Sequence, residues 1–385
     1  MKCLFAGSFD PVTKGHIDII NRISLMYEAV YVGVSVNPSK LSMFTTEERI
    51  TFIKNQISAK NVFPVVIHGL VSEFAYANSI DVLVRGMRNS SEFDPEFTMA
   101  TLNRDITGVE TIFIPATRCM EGVSSSTVKS IAKERGDISK YVSTQVKHHV
   151  EFAYGMTCIG VVGNSGCGKS SLVNHLVNEI NSDELTTGYP QFNMTAYRID
   201  LDSIAHEVYT SNEPYAIDAR RKLYDTFGVT VVSRMLKVDR KNLANLVFND
   251  PESLNMLNDV MRVPIKHMLY RKLREIPFNS LVFIDGALIA EQGFLNFCNN
   301  NVINLRCDRD ISIKRIMKRD LIVADKAAMR IDSQLGDSER VKLINNQIAV
   351  DDYGSLFNVD TTEMELSYSG MSEFLSVIHK MAVPT

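Results

Sequence analysis

Apolar positions along this chain come in two rhythms, short unbroken runs and runs spaced three or four apart. Residues 2–6 form a short apolar run that reads as a buried strand, Ile17, Ile20, Ile23 and Tyr27 share one helical face, and Val30, Val32, Val34 and Val36 alternate as a strand. Thr45-Thr-Glu-Glu48 predicts a helix start, because a hydroxyl and a carboxylate at this spacing each accept the other residue's backbone N–H; Ile50, Ile53 and Ile57 follow. Further strands over residues 63–67, 81–84 and 110–114 alternate with helical spacing over 72–78 and 94–105. Strand and helix in alternation predict a parallel sheet covered by helices, with ligands at the carboxyl ends of the strands.

The second half starts from a sharper signal. Residues 143–154 read as a helix running almost directly into the apolar strand Cys158-Ile-Gly-Val-Val162, after which come Gly163-Asn-Ser-Gly-Cys-Gly168-Lys169-Ser170-Ser171 and an amphipathic run over 172–180. A strand, G-x-x-x-x-G-K-S and a helix make a phosphate-cradling loop. Gly163 and Gly168 let backbone N–H groups face phosphate, Lys169 reaches the β and γ oxygens, and the Ser170 hydroxyl is placed to ligate Mg²⁺. The nucleotide contacts expected here are Gly166, Cys167, Gly168, Lys169, Ser170 and Ser171.

A strand over 196–199 ends at Asp200-Leu-Asp202, where a carboxylate is well placed to take a proton from a substrate hydroxyl. Capping of the next helix by Asp202 or Ser203 accounts equally well for these residues. Then come Leu246 to Pro251, a helical run through Met261, a strand over 281–284 ending at Asp285, and another over 301–305. A basic helix over 311–320, with Lys314, Arg315, Lys318 and Arg319, reads as a solvated or lid face, and a helical stretch over 325–334 follows.

At 385 residues the chain exceeds a single hydrophobic core, and two α/β domains with parallel sheets, 1–154 and 155–385, account for it. A net charge of −4 offers no electrostatic case for a nucleic acid or an anionic membrane as partner. The six cysteines contain no C-x-x-C pair and read as thiols of a cytoplasmic protein. No apolar run reaches membrane-spanning length, and the first apolar stretch is too short for a signal peptide before Gly7 and Asp10 interrupt it.

Gly7-Ser8-Phe9-Asp10-Pro11-Val-Thr13-Lys-Gly15-His16 follows the first strand and puts an imidazole at a helix start, where unpaired N–H groups attract phosphate. Taken alone, His16 serves equally as a cap or a packing residue. In company, the segment resembles the T-x-G-H motif of the nucleotidyltransferase superfamily and, specifically, bacterial phosphopantetheine adenylyltransferase. The resemblance covers most of residues 2–150 and runs through Asn37-Pro-Ser-Lys40, Met43 to Arg49, Val84-Arg85-Gly86-Met87-Arg88, Phe93 to Glu96, and Val123 to Lys129.

It implies a Rossmann-like domain that joins ATP to 4′-phosphopantetheine, forming dephospho-CoA and releasing pyrophosphate. By that resemblance Ser8, Lys40, Val71 and Arg85 meet the pantetheine substrate. Ser8, Phe9, His16, Gly86, Met87, Arg88, Glu96, Met120, Glu121, Gly122, Val123, Ser124, Ser125 and Ser126 hold ATP, and His16, Lys40 and Arg88 act on the transferring group. Self-association through this domain is implied as well. Met120 stands where the family often has an aromatic residue, and Ala6 where it often has proline. The serine run also reads as a cap for the helix that carries Val128 and Ile131.

From Gly155 onward the chain resembles dephospho-CoA kinase, through the phosphate loop, Asp200-x-Asp202-x-Ile-Ala, Phe248-Asn-Asp-Pro251, and Lys318-Arg-Asp320 to Arg330-x-x-x-Gln334. This implies a P-loop kinase domain with a helical lid that phosphorylates the ribose 3′-hydroxyl of dephospho-CoA. Asp202 is then the general base, with Asp200, placed against the substrate, as second choice; Lys169 and Arg330 clamp the transferring phosphoryl group, and Ser170 binds Mg²⁺. Val263-Pro264 and Asp285-Gly-Ala depart from the family pattern, and Asp285 reads either as a metal-assisting carboxylate or as a structural one. Two other readings stay open: a nicotinamide-mononucleotide adenylyltransferase fused to a ribosylnicotinamide kinase, and a nucleotide sensor whose second domain binds ATP without turnover.

Overall fold

The computed structural model describes residues 1–36, 41–182, 193–247, 250–287, 289–363 and 371–384, which fall into two compact units, Met1–Ala153 and Tyr154–Thr385. In the first unit β1 (Lys2–Gly7), α1 (Lys14–Ser24), β2 (Ala29–Ser35), α2 (Thr46–Lys54), β3 (Val62–Ile67) and α3 (Val71–Ala77) come in succession. They are followed by β4 (Val82–Met87), α4 (Phe93–Thr107), β5 (Glu110–Pro115), α5 (Ser125–Lys133) and α6 (Thr144–Ala153).

The described strands of this unit form one sheet in the order β3-β2-β1-β4-β5, with every pair parallel. Phe5 of β1 lies opposite Val32 on one side and Val84 on the other. Cys3, Leu4, Phe5 and Ala6 are all buried, which is why the strand reads as an unbroken apolar run: helices cover both its faces. The Thr45–Glu48 capping box forms as predicted. The chain passes from β1 to β2 and β3 on one side, then returns to β4 on the other, so the carboxyl ends of β1 and β4 flank the crevice where such sheets bind ligands.

The second unit runs β6 (Met156–Gly163), α7 (Lys169–Asn181), β7 (Thr195–Asp200), α8 (Leu201–Val208), α9 (Pro214–Phe227), α10 (Arg240–Val247), α11 (Pro251–Glu275) and β8 (Ser280–Asp285). It continues through β9 (Asn301–Arg306), α12 (Arg309–Asp320), α13 (Ala324–Asp332), α14 (Asp337–Asp351), β10 (Ser355–Asp360) and α15 (Met371–Ala382). Its sheet is again parallel, in the order β10-β9-β6-β8-β7, and β6 is buried along its whole length. One core cluster packs Met268, Leu269, Leu223 and Ile204 of the helices after β7 against Val282 and Ile284. Another packs Leu172 and Leu176 of α7 with Leu375 and Ile378 of α15 against Phe283 and Leu281.

The helical run read as reaching Met261 continues to Glu275, straight through Pro264. A proline inside a helix removes one hydrogen bond, but Met261, Ile265, Met268, Leu269 and Leu273 bury one continuous face, and that burial carries the helix past the gap. Strand β10 and helices α9, α10 and α15 were not visible as patterns. In β10 the half-exposed edge position leaves only Val359 buried, so no apolar alternation marks it. Among the described residues no helix is long and apolar enough to cross a membrane.

Phe283, 0% exposed in β8, offers the test of this core. Phe283→Ala is expected to lower the unfolding free energy by about 3–5 kcal/mol, seen as a lower denaturant midpoint at unchanged slope.

Candidate active sites

At the end of β1 the chain turns through Phe9, which sits in the left-handed region at φ +47°. Such a conformation is strained for a residue with a side chain and is held here by packing. The Phe9 ring is 1% exposed and lies edge-on to both Phe5 (5.5 Å) and His16 (5.1 Å). Phe9 was expected to hold ATP. Its ring lies in the core and braces the imidazole, which leaves its backbone to the ligand loop.

Thr13 caps α1 in a reciprocal box with His16: the His16 N–H donates to Thr13 Oγ1 at 3.4 Å, and the Thr13 N–H donates to His16 Nδ1 at 3.0 Å. A ring nitrogen that accepts a backbone N–H carries no proton, so the neutral imidazole holds its proton on Nε2. Burial, and after it the charge of Arg88, lowers the His16 pKa to about 4. At neutral pH His16 is therefore an uncharged Nε2–H donor at the start of a helix. Capping and ligand binding are compatible, because they use different nitrogens.

The end of β4 delivers the arginines. Arg85 forms a two-pronged ion pair with Glu96, Nε to Oε2 at 2.6 Å and Nη2 to Oε1 at 3.0 Å, and donates to Ala6 O at 2.9 Å. Arg88 pairs with Glu92 and donates to Val123 O at 3.2 Å, which ties β4 to the segment holding Met120, Glu121 and Gly122. A Cβ added to Gly86 would stand 2.3 Å from Ile19 Cδ1, so Gly86 is where α1 packs on the sheet, next to Met87. Gly15 approaches Met120 closely enough that an added Cβ would lie 3.7 Å from its Cβ.

Ser124 caps α5 by accepting the Thr127 N–H at 2.9 Å, and Ser125 Oγ donates to Pro11 O at 2.8 Å. These two hydroxyls were expected as ligand donors. Both make bonds within the fold, which is compatible with ligand binding through the backbone N–H groups of the same turn, and Ser126 stays exposed on the first turn of α5. Ser8 is exposed, Val71 opens α3 half-buried against the core, and Lys40 lies outside the described residues.

Asp10 was not singled out from sequence, yet it organises this crevice. Its buried carboxylate accepts the backbone N–H groups of Met43 and Phe44, both at 3.0 Å, and takes Lys129 Nζ of α5 at 2.9 Å. Arg49, also buried, donates to Ser8 O at 2.8 Å. An aspartate before a proline in the loop, and an arginine on an otherwise apolar helix face, were the available signals.

In the second unit β6 ends at Gly163, whose φ is +145° and where an added Cβ would lie 2.5 Å from Leu305 O; no other residue fits. Gly168 (φ +83°) then opens α7 with no side-chain cap, leaving the N–H groups of the first turn facing the loop. Lys169 Nζ rests on the loop's own carbonyls, Gly163 O at 2.8 Å and Asn164 O at 3.1 Å. Burial lowers its pKa, with Asp285 and Asp202 pulling the other way. The thiol of Cys167 is buried in the core, so this residue offers the site its backbone only; Ser171 is exposed.

Ser170 Oγ donates to Asp285 Oδ2 at 3.0 Å, and Arg198 Nη2 donates to the same oxygen at 2.8 Å. The cap of α8 is Asp200, which accepts the Ser203 N–H at 2.9 Å, not Asp202 or Ser203. With the cap made two positions earlier, Asp202 stands on the first turn with its carboxylate in the site. Its pKa is raised, chiefly by desolvation, against the opposing charge of Lys169. That is the direction a general base needs.

On the basic helix α12, Lys314, Lys318 and Arg319 are exposed, and Arg315 is half-buried against the phosphate loop. Arg315 donates to Thr361 O at 2.9 Å and to Gly166 O at 3.4 Å, and with Arg319 it lines a cavity of about 560 Å³ against the phosphate loop. Arg330 Nη1 is held by Asp320 Oδ2 at 2.8 Å, while Gln334 Oε1 accepts the Ser165 N–H of the loop at 2.8 Å. Phe248 and Asn249 lie outside the described residues.

Residues 157–353 match the dephospho-CoA kinase family, and residues 4–131 match the cytidylyltransferase-like family. A phosphopantetheine adenylyltransferase of Cutibacterium acnes is 39% identical over 147 residues, spanning 38% of this chain and 94% of that protein. The chain belongs to the phosphopantetheine adenylyltransferase family in its N-terminal unit and to the dephospho-CoA kinase family in its C-terminal unit.

Those two families carry the last two steps of coenzyme A biosynthesis, both with ATP as substrate, and the fusion is a bifunctional transferase. The nicotinamide alternative gives way to that membership. Among solved structures, a dephospho-CoA kinase from Campylobacter jejuni matches over 59% of this chain and 98% of its own at 22% identity and a TM-score of 0.34. A NadR protein in complex with NR matches over 99% of this chain and 95% of its own at 12% identity and a TM-score of 0.32. Overlaps this low bear on neither chemistry.

His16 gives the pH test. With the folded pKa near 4 and the ordinary value at 6.5, the unfolded chain takes up the proton first as the pH falls. The stability that neutral His16 contributes is thus fully present above the ordinary value and is lost on acidification toward the folded one. Its imidazole NMR signals are expected to stay flat between about pH 8 and 5.5, where an unperturbed histidine titrates.

Proposed function

We propose that the two clefts act in series, the first making the substrate of the second. In the first, the phosphate of 4′-phosphopantetheine attacks the α-phosphorus of ATP, and pyrophosphate leaves. That nucleophile is already anionic and needs no general base, so the protein's task is to align two anions and stabilise charge at the transferring group. The neutral Nε2–H of His16, set beside Arg88, is the observation that carries this reading: a directed donor that keeps its form across the physiological range. Arg85 and Lys40, with Ser8 and Val71, hold the pantetheine side. Arg88 leaves Glu92 for phosphate, and the Met120 to Ser126 segment and Gly86–Met87 receive the nucleotide.

In the second cleft Asp202 takes the proton of the ribose 3′-hydroxyl as that oxygen attacks the γ-phosphorus. Lys169 exchanges its loop carbonyls for phosphate oxygens, and Arg330 leaves Asp320 to join it as the lid closes and excludes water. Ser170 and Asp285 present two hard oxygens at hydrogen-bond distance, a donor set that fits Mg²⁺ shared with nucleotide phosphates. Among the described residues no cluster of three or more His, Cys, Asp or Glu would hold an ion by itself. When bound, the ion supplies charge neutralisation between the β- and γ-phosphates.

Helix α4 buries none of its residues and leaves Phe93, Phe97, Leu102 and Ile106 exposed, which supports self-association of the N-terminal unit. The thiols of Cys3, Cys167 and Cys307 are free, which suits the reducing cytoplasm.

Purified protein supplied with 4′-phosphopantetheine, ATP and Mg²⁺ should yield both dephospho-CoA and CoA by mass. His16→Ala is expected to slow dephospho-CoA formation by roughly 10²–10³ with the kinase step on supplied dephospho-CoA unchanged. Lys169→Ala should instead accumulate dephospho-CoA. Equal loss of both steps in either variant would overturn the assignment. Phe97→Glu is expected to reduce the particle mass measured by light scattering; a wild-type protein that is already monomeric would refute the self-association.

A further inference from the structure

The phosphate loop is gripped from behind by a residue outside every motif described above. Arg340, in the first turn of α14, is 1% exposed. Its Nη1 donates to the side-chain oxygen of Asn164, the second residue of the loop, and to Leu335 O at 3.2 Å. Nε donates to Asn304 Oδ1 of β9 at 3.0 Å, and Nη2 to Asp337 Oδ1 at 3.1 Å. Asn304 is itself fixed, its Nδ2 donating to Asp337 Oδ1 at 3.0 Å and to Asn358 Oδ1 of β10 at 2.9 Å.

Two adjacent loop residues are therefore tied to two adjacent residues where the chain returns from the lid. Ser165 is bound by Gln334, and Asn164 is bound through Arg340 to Leu335. Leu335 is held on its other side, its N–H donating to Glu291 Oε1 at 3.1 Å. The Asn164 carbonyl is one of the two on which Lys169 rests, so the side chain that Arg340 grips and the carbonyl that parks the lysine belong to one residue.

We infer that Arg340 is a positioning residue for ATP: its guanidinium fork locks Asn164 of the phosphate loop to the returning end of the lid. The inference rests on the phosphate-loop reading proposed above. A buried cation seldom adds stability over an apolar side chain of its size, so geometry is the better account of its presence. Arginine's rigid fork anchors Nε on Asn304 and Nη2 on Asp337 and so aims Nη1 at both the loop side chain and the Leu335 carbonyl; a lysine keeps the charge and has no such anchors. Its field also reaches Lys169, where it acts to lower the pKa, as a second positive charge beneath the phosphates would.

The test measures kinase kinetics on the full chain for Asn164→Ala, Arg340→Lys, the double variant and Lys169→Ala, with melting temperatures alongside. Each single variant is expected to raise KM for ATP about tenfold, as loss of alignment does, with KM for dephospho-CoA unmoved. The double variant should be no worse than the more severe single one, because the two residues form one contact. An unchanged KM for ATP in folded variants, multiplying effects in the double variant, or a fall in kcat alone would overturn the inference. Should Arg340→Lys fail to fold, Asn164→Ala decides by the same criterion. Lys169→Ala separates the two levels: if it still phosphorylates, the reading of the loop fails, and if it does not, the other variants judge Arg340.

Discussion

A parallel strand buried on both faces, ending in a turn that its neighbours leave no room to widen, sets the position of each site. β6 is buried from Met156 to Gly163, and at its end the backbone presses on Leu305 O of β9, so the chain can leave the sheet in one direction only. The loop N–H groups and the uncapped first turn of α7 then converge on one volume, an arrangement that favours negative charge. β1 does the same with other means. Packing holds Phe9 in a left-handed turn, Thr13 caps α1, and the imidazole is aimed by its own Nδ1 bond.

From that placement follows how the charged groups are paired. Arg85 rests on Glu96, Arg88 on Glu92, Arg330 on Asp320, Lys129 on Asp10, and Lys169 on two loop carbonyls. A desolvated cation without a counter-charge costs several kcal/mol, so each of these groups has a local acceptor. In the proposed mechanism substrate binding exchanges one acceptor for another, and Arg330 reaches its anion as the lid closes. Lys129 is the exception: its partner Asp10 is buried and also carries two backbone N–H groups, so that pair holds the crevice together and stays in place.

Much of this was legible along the chain, because it depends on local spacing. The two rhythms of apolar residues placed the buried strands of both sheets, the Thr45–Glu48 box placed α2, and G-x-x-x-x-G-K-S marked the loop whose glycines meet Leu305 O and open α7. His16, Arg88, Lys169 and Asp202 stand at strand ends, as α/β order requires. The run read as reaching Met261 fell short of Glu275, because the face that carries the helix past Pro264 is buried by distant parts of the chain. That Phe9 turns its ring inward from a ligand loop was not legible from its place in the chain.

What the amino-acid order alone determined is therefore the class of fold, the presence of two nucleotide-handling motifs, and the residues that lie next to them in the chain. What only the tertiary structure decided is which partner each charged group takes. Asp200 rather than Asp202 caps α8, Glu96 and Glu92 hold the arginines of β4, Arg315 turns toward the loop instead of solvent, and Arg340 grips Asn164 from far along the chain. Helical and strand periods are set by neighbours a few residues apart; the Asp200 cap and the Arg88–Glu92 pair are also local, selected by the fold among nearby candidates, whereas the Arg315 and Arg340 contacts join residues that the fold alone brings within hydrogen-bond reach.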